Sequence, residues 1–200
     1  MTALETALRQ ICIDLTATQA SFALVGGLAV SARTEPRFTR DADIAVAVAS
    51  DAEAESLIRS LRARGYSVHA LVEQEAVGRL ATVRLARSSD SASPVIDLLF
   101  ASSGIEPEVV ADADAIELLP QLTVRVPTIG HLIALKVLAR DDVTRPQDLS
   151  DLRALLRVAA AADVTRARTA LTLIAERGYH RRRDLQTEFE TLLRTQHESR

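Results

Sequence analysis

The chain has 200 residues, 48% of them hydrophobic and 3% aromatic, with a formal net charge of -3. That length and apolar content allow one domain, or a core with a small appendage, around a substantial interior. The charge excludes a uniformly basic nucleic-acid binder, though not local basic patches, and the scarcity of aromatics excludes a stacking platform for bases.

A single cysteine, Cys12, lies on an apolar helical face, so neither a disulfide framework nor a zinc site is expected, and the thiol reads as packing in a reducing compartment. No apolar run approaches the roughly 20 residues that span a bilayer. The opening "MTALETALRQICIDL" is acidic and amphipathic, unlike a signal peptide, and a cytoplasmic location follows as an expectation.

Along the chain, Leu4, Leu8, Ile11 and Leu15 share one helical face over residues 3 to 18, with Thr2 as N-cap. "SFALV" reads as a short buried strand that Gly26-Gly27 breaks before "LAVSAR" starts a helix. Strand, glycine turn and helix start form an anion-binding arrangement, because free backbone N–H groups and the helix dipole face the turn. "DADIAVAVA" is the next strand, Ser50 caps a helix over 51 to 63 ended by Gly65, and "YSVHALV" and "LATVRLA" alternate as strands. A polar loop "RSSDSASP" leads into "VIDLLFA", a strand with Asp97 in its middle, and residues 106 to 125 read as a short helix and one more strand. From Thr128 the spacing predicts four helices, with Pro127, Pro146 and Gly178 as boundaries, dividing the chain into a core of residues 1–126 and a helical part of 127–200.

Asp41 and Asp43 project from one face of their strand, since side chains alternate with period two, and Asp97 joins them if its strand is a neighbour. Ionised carboxylates so close repel one another unless a cation sits between them. An all-oxygen cluster suits Mg²⁺, and two such ions about 3.5 to 4 Å apart align a nucleophile with a leaving phosphate. The bland reading is that these aspartates meet Arg33, Arg37 or Arg40 nearby in sequence. Lys136 is the only lysine among 24 basic residues, and it either marks a position needing a compact ammonium in place of the guanidinium fork or is a chance survivor of compositional bias. A second D-x-D, Asp112 and Asp114 in "ADADAIE", lacks a glycine turn and reads as a solvated loop, and His69, His131, His180 and His197 show no mutual spacing that suggests a role.

Gly26-Gly27, thirteen residues, Asp41-Ala42-Asp43-Ile44 and later Ile96-Asp97-Leu98 resemble the core signature of the polymerase-beta-type nucleotidyltransferase superfamily. "HLIALKVLARDDVTRPQDLSDLRALL" resembles the lysine helix and following Asp-x-x-Asp-Leu helix of the AbiEii-like nucleotidyltransferases, including MenT-type toxins. The resemblance spans residues 22 to 156 and implies an α/β (α+β) nucleotidyltransferase fold, a mixed sheet with flanking helices plus a C-terminal helical bundle. It implies a Mg²⁺-dependent enzyme with Asp41, Asp43 and Asp97 as metal ligands, Asp97 alternatively drawing the acceptor proton. Gly26, Gly27, Lys136 and Arg40 would bind the nucleotide, and Asp151, or else Asp148, would complete the site. The family usually carries Gly-Ser at the turn, so in this chain backbone amides must do the hydroxyl's work.

The toxin resemblance implies transfer of a pyrimidine nucleotide, with CTP as a candidate donor, to the tRNA 3′ end, and a cognate antitoxin. Thr39, two residues before Asp41, is a hypothetical regulatory phosphosite. Arg181, Arg182 and Arg183 form a basic run away from the proposed site that either meets phosphates or solvates a helix start. The rival readings are a small-molecule, antibiotic-type nucleotidyltransferase and a non-catalytic binding module.

Overall fold

The computed structural model describes residues 2–37, 39–87, 94–141 and 146–198. Most of the expected polar loop, residues 88–93, lies outside them.

Thr2 and Glu5 close a reciprocal capping box on α1 (Ala3–Ala17), which buries Leu8, Ile11 and Leu15. β1 (Ser21–Val25) runs straight into α2 (Gly26–Arg33), because Gly26 takes φ +63°, a left-handed conformation that reverses the chain without a loop. β2 (Ala42–Ala47) follows, then α3 (Asp51–Ala63), whose Ser50 cap accepts the Glu53 N–H. β3 (Ser67–Gln74), β4 (Arg79–Ala86) and β5 (Ile96–Leu99) complete a sheet in the order β1-β2-β5-β4-β3. β2 and β5 are parallel and the other pairs antiparallel, so the sheet is mixed as expected.

The segment after α4 (Glu106–Ala111) corrects the sequence reading. It holds two strands, β6 (Asp114–Leu119) and β7 (Leu122–Val126), paired as a hairpin. The turn is Pro120-Gln121, with Gln121 at φ +61°, and it lacks the Asn-Gly or Asp-Gly pair that usually signals such a hairpin. Asp114 therefore opens a strand and Asp112 ends a helix, where a solvated loop was expected, and they pair with Arg33 at 2.6 Å and Arg166 at 3.6 Å.

Four helices follow as expected: α5 (Ile129–Ala139), α6 (Pro146–Val158), α7 (Ala161–Glu176) and α8 (Leu185–Glu198). α5 is apolar on nearly every side because α2, α6, α7 and α8 all pack around it. One apolar cluster runs from Leu8 through Leu132 to Phe189, so the buried interior is continuous across the β7–α5 link.

Candidate active site

The sheet register sets the acidic side chains in a row. Val25 on β1 lies opposite Asp43 on β2, Asp43 opposite Asp97 on β5, and Asp97 opposite Arg84 on β4. Laterally paired residues share a face, so three adjacent strands bring Asp43, Asp97 and Arg84 together. Asp41, just before β2, lines the same cavity. The cavity, about 660 Å³, is also lined by Gly26, Gly27, Lys136 and Thr39. A cavity of about 690 Å³ beside α1 and β1 is lined by no acidic residue. Cys12 borders that second one, and burial pushes its thiol up to about 11, as suits a packing residue.

Asp97 is 9% exposed and accepts two hydrogen bonds from Arg84, Nε at 2.9 Å and Nη2 at 2.7 Å. The hydrogen bond with Asp97 raises the Arg84 pKa, and the charges of Asp41 and Asp43 add to the effect. Arg84 was missed from sequence. It sits at a solvent-side position of an alternating strand, and only the register shows that it faces Asp97.

The two glycines make room for side chains. A Cβ on Gly26 would collide with the Asp43 carboxylate, and one on Gly27 would lie 2.6 Å from Arg37 Nη2. The Gly-Gly pair thus lets Asp43 and Arg37 press against the turn. Thr39 is half-buried, and its hydroxyl donates to the Asp41 carbonyl at 3.4 Å. Arg40 is exposed and does not line the cavity.

Lys136 is 8% exposed, and its Nζ is 2.7 Å from both Asp148 Oδ1 and Asp151 Oδ2. Both helix aspartates, Asp148 and Asp151, hold the ammonium. Asp151 also accepts Arg37 Nε at 2.6 Å and Nη2 at 2.7 Å, which ties α6 to the loop before Asp41. Burial pushes the Asp151 carboxyl up, but the hydrogen bonds from Arg37 and Lys136 outweigh it and hold the group below the usual carboxylate range. Asp151 stands behind the cavity while Asp148 borders it. Of the nearby arginines, then, Arg37 meets Asp151 and Arg33 meets Asp114.

Glu106 was also missed. Buried at 3% exposure, it accepts N–H groups of Ser102 (2.9 Å), Ser103 (2.7 Å) and Gly104 (3.0 Å), fixing the loop whose Ser102 and Ser103 border the cavity. Desolvation raises its pKa against those hydrogen bonds. The Ser103-x-x-Glu106 spacing was the available signal.

Among the described residues, no three His, Cys, Asp or Glu side chains are already arranged to hold a metal. Asp41 and Asp43 supply hard oxygen donors on one side of a strand, which fits a divalent ion of the Mg²⁺ class. Asp97 is already engaged by Arg84, which would compete with a metal for its oxygens.

The model of the nucleotidyl transferase AbiEii toxin family, type IV toxin–antitoxin system, matches residues 7–199. The chain belongs to this family. It is a nucleotidyltransferase, and membership of a toxin–antitoxin family implies an antitoxin partner. No curated relative matches the chain. Among solved structures it resembles an antigenic nucleotidyltransferase-like protein from Paracoccidioides brasiliensis, with TM-score 0.55, 16% identity and coverage of 94% of this chain and 92% of that one. It also resembles ANT(2″)-Ia in complex with adenylyl-2″-tobramycin, with TM-score 0.57, 16% identity and coverage of 88% and 99%. A third is the lincomycin-bound lincosamide antibiotic adenylyltransferase LnuA, with TM-score 0.52, 14% identity and coverage of 78% and 98%. At these identities the likeness establishes the nucleotidyltransferase fold. No helix among the described residues is long and apolar enough to cross a membrane.

Proposed function

We propose that this AbiEii-family nucleotidyltransferase transfers a nucleoside monophosphate from a nucleoside triphosphate, CTP being the first to test, to the 3′ hydroxyl of tRNA. The carrying observation is the cavity lined at once by Asp41, Asp43, the Gly26–Gly27 turn and Lys136. The acceptor oxygen forms a bond to the α-phosphorus while the bond to the β-phosphate oxygen breaks, and pyrophosphate leaves. A Mg²⁺ ion held by Asp41 and Asp43 would neutralise charge on the triphosphate. Gly26 and Gly27 at the start of α2 line the same cavity, and backbone N–H groups of a helix start would suit phosphate oxygens. Lys136 contributes a fixed positive charge, oriented by Asp148 and Asp151. Blocking the tRNA end would stop aminoacylation and growth, and the antitoxin would counter that effect.

In this reading Thr39 retains its proposed regulatory role, because a phosphate there would place negative charge beside the site that must accept the triphosphate. A second reading, transfer to a small antibiotic-type acceptor, draws on ANT(2″)-Ia and LnuA, whose descriptions name such molecules. The test is a labelled-nucleotide screen, one triphosphate at a time with Mg²⁺, against purified tRNA and against aminoglycosides. Labelled tRNA supports the first reading and labelled aminoglycoside the second. Nucleotide binding without transfer would point to a binding module. Asp41→Ala should lose transfer by at least about a hundredfold while keeping its fold by circular dichroism, since mispositioned transition-state charge costs that much. Full activity in Asp41→Ala would refute the site.

A further inference from the structure

The floor of the cavity has two rows. Side chains on one face of a strand recur every second residue, so the row of Asp43, Asp97 and Arg84 is followed by a row of Ala45, Leu99 and Thr82, set by the same register. The second row lies about 7 Å along the strands from the first, two residues at about 3.3 Å each. It carries neither a carboxylate nor a cation. Leu99 and Thr82 are half-buried and line the cavity. The chain then leaves β5 beside Thr82, because the Ala81 carbonyl accepts the N–H groups of Phe100 (2.9 Å) and Ala101 (3.4 Å), and Ser102, also half-buried, lines the cavity next. Glu106 accepts the Ser102 and Ser103 N–H groups and the Ser103 hydroxyl (2.9 Å), so this serine loop is fixed before any substrate arrives. From α5, Leu132, Leu135 and Ala139 line the same cavity at the spacing of one helix face.

The two rows suit different parts of a nucleotide. Phosphates and their metal belong with the acidic row and the glycine turn that presses against Asp43. A row of leucine and hydroxyl groups without charge suits an uncharged, flat group with a polar edge. A hydroxyl both donates and accepts, so Thr82 and Ser102 can each match the edge of a base, while Leu99 and Leu135 offer apolar surface to its faces in a chain poor in aromatics. We infer that Thr82 and Ser102, with Leu99 and Leu135, form a nucleobase-binding end of the cavity, the base coming either from the triphosphate donor or from the terminal nucleotide of the acceptor. The inference rests on the nucleotidyl-transfer reading above and adds to it the residues that set base preference.

Thr82→Val keeps the branched shape of the side chain and removes its hydroxyl, and Ser102→Ala removes the hydroxyl of the loop, so both should keep a melting temperature close to that of the wild type. Each is measured for affinity toward the common nucleoside triphosphates in non-hydrolysable form with Mg²⁺, and toward inorganic tripolyphosphate with Mg²⁺ as a probe of the phosphate end alone. The KM for tRNA in transfer is measured alongside. A fall of about tenfold in the affinity ratio between the preferred triphosphate and the others, with tripolyphosphate binding unchanged, assigns the base to the donor. A rise of about tenfold in KM for tRNA, with the triphosphate ratios unchanged, assigns it to the acceptor. If neither variant changes those ratios or the KM, or if tripolyphosphate affinity falls as far as that of the triphosphates, the inference is wrong while the transfer reading stands. A wild-type protein that binds no triphosphate would overturn both.

Discussion

Gly26 and Gly27 show how a two-residue difference in environment becomes a difference in tolerance. Gly26 combines a left-handed backbone with a side-chain direction blocked by Asp43, including its Cβ, whereas Gly27 meets only the guanidinium tip of Arg37. Gly26→Ala should therefore cost at least about 2 kcal/mol in urea unfolding, from left-handed strain and overpacking together. Gly27→Ala should cost less, because its backbone is not left-handed and only the far end of the Arg37 side chain must shift, at the expense of its hydrogen bonds to Asp151. Equal stabilities for the two variants would refute this account of the turn. Asp151 supplies a pH prediction. Its folded-state pKa lies below the unfolded value, so the stability it contributes is present above the usual carboxylate pKa near 3.9 and is lost as pH falls through its depressed folded value. Thermal melts between pH 6 and pH 3 should fall, and Asp151→Asn should flatten that fall while lowering stability at pH 6. A parallel decline in both proteins would place the acid sensitivity elsewhere.

The strands matter as a set, because the side chains that meet in the cavity come from different ones. β2 and β5 are adjacent and parallel, which sets Asp43 beside Asp97, and the antiparallel β4 brings Arg84 to the far side of Asp97. Arg84 thus supplies a built-in counter-charge where the acidic row would otherwise repel itself. In Arg84→Ala, Asp97 loses its partner and becomes available beside Asp43 and Asp41. The variant should melt lower than the wild type without metal, and Mg²⁺ should raise its melting temperature by more than it raises the wild type's, because ligand binding to the folded state stabilises it in proportion to site occupancy. An equal Mg²⁺ shift in both would mean that Asp97 does not enter the metal site even when freed.

Across the whole molecule the cavity lies between two parts of the chain, with the acidic row on the sheet and Lys136, Asp148 and Arg181 on the helical part. Arg33 and Arg37 stitch these parts together, Arg33 through the carbonyl of Pro127 and Arg37 through Asp151. The proposed division at residues 126 and 127 is therefore one of architecture, and its independence is testable. Because the buried interior continues from the sheet into α5, a fragment of residues 1–126 would expose apolar surface that the full chain covers. The fragment should show no cooperative thermal unfolding by circular dichroism. A sharp transition in it would make residues 1–126 an autonomous domain.

Much of this was legible in the sequence because it is local. Capping residues, glycine stops and apolar periodicity placed α1, α3 and the four C-terminal helices close to their observed ends, since hydrogen bonding within a helix depends on near neighbours. Asp41, Asp43, Asp97 and Lys136 could be singled out because a lone lysine and carboxylates beside apolar strands are chemically conspicuous. The β6–β7 hairpin stayed hidden because Pro120-Gln121 carries no strong turn signal. What only the tertiary structure decided is which charge meets which: Arg84 on Asp97, Arg37 on Asp151, both helix aspartates on Lys136, and Arg181 among the residues lining the cavity. Those pairings cross up to 114 residues of chain. They follow from strand register and helix packing, which local sequence patterns do not encode.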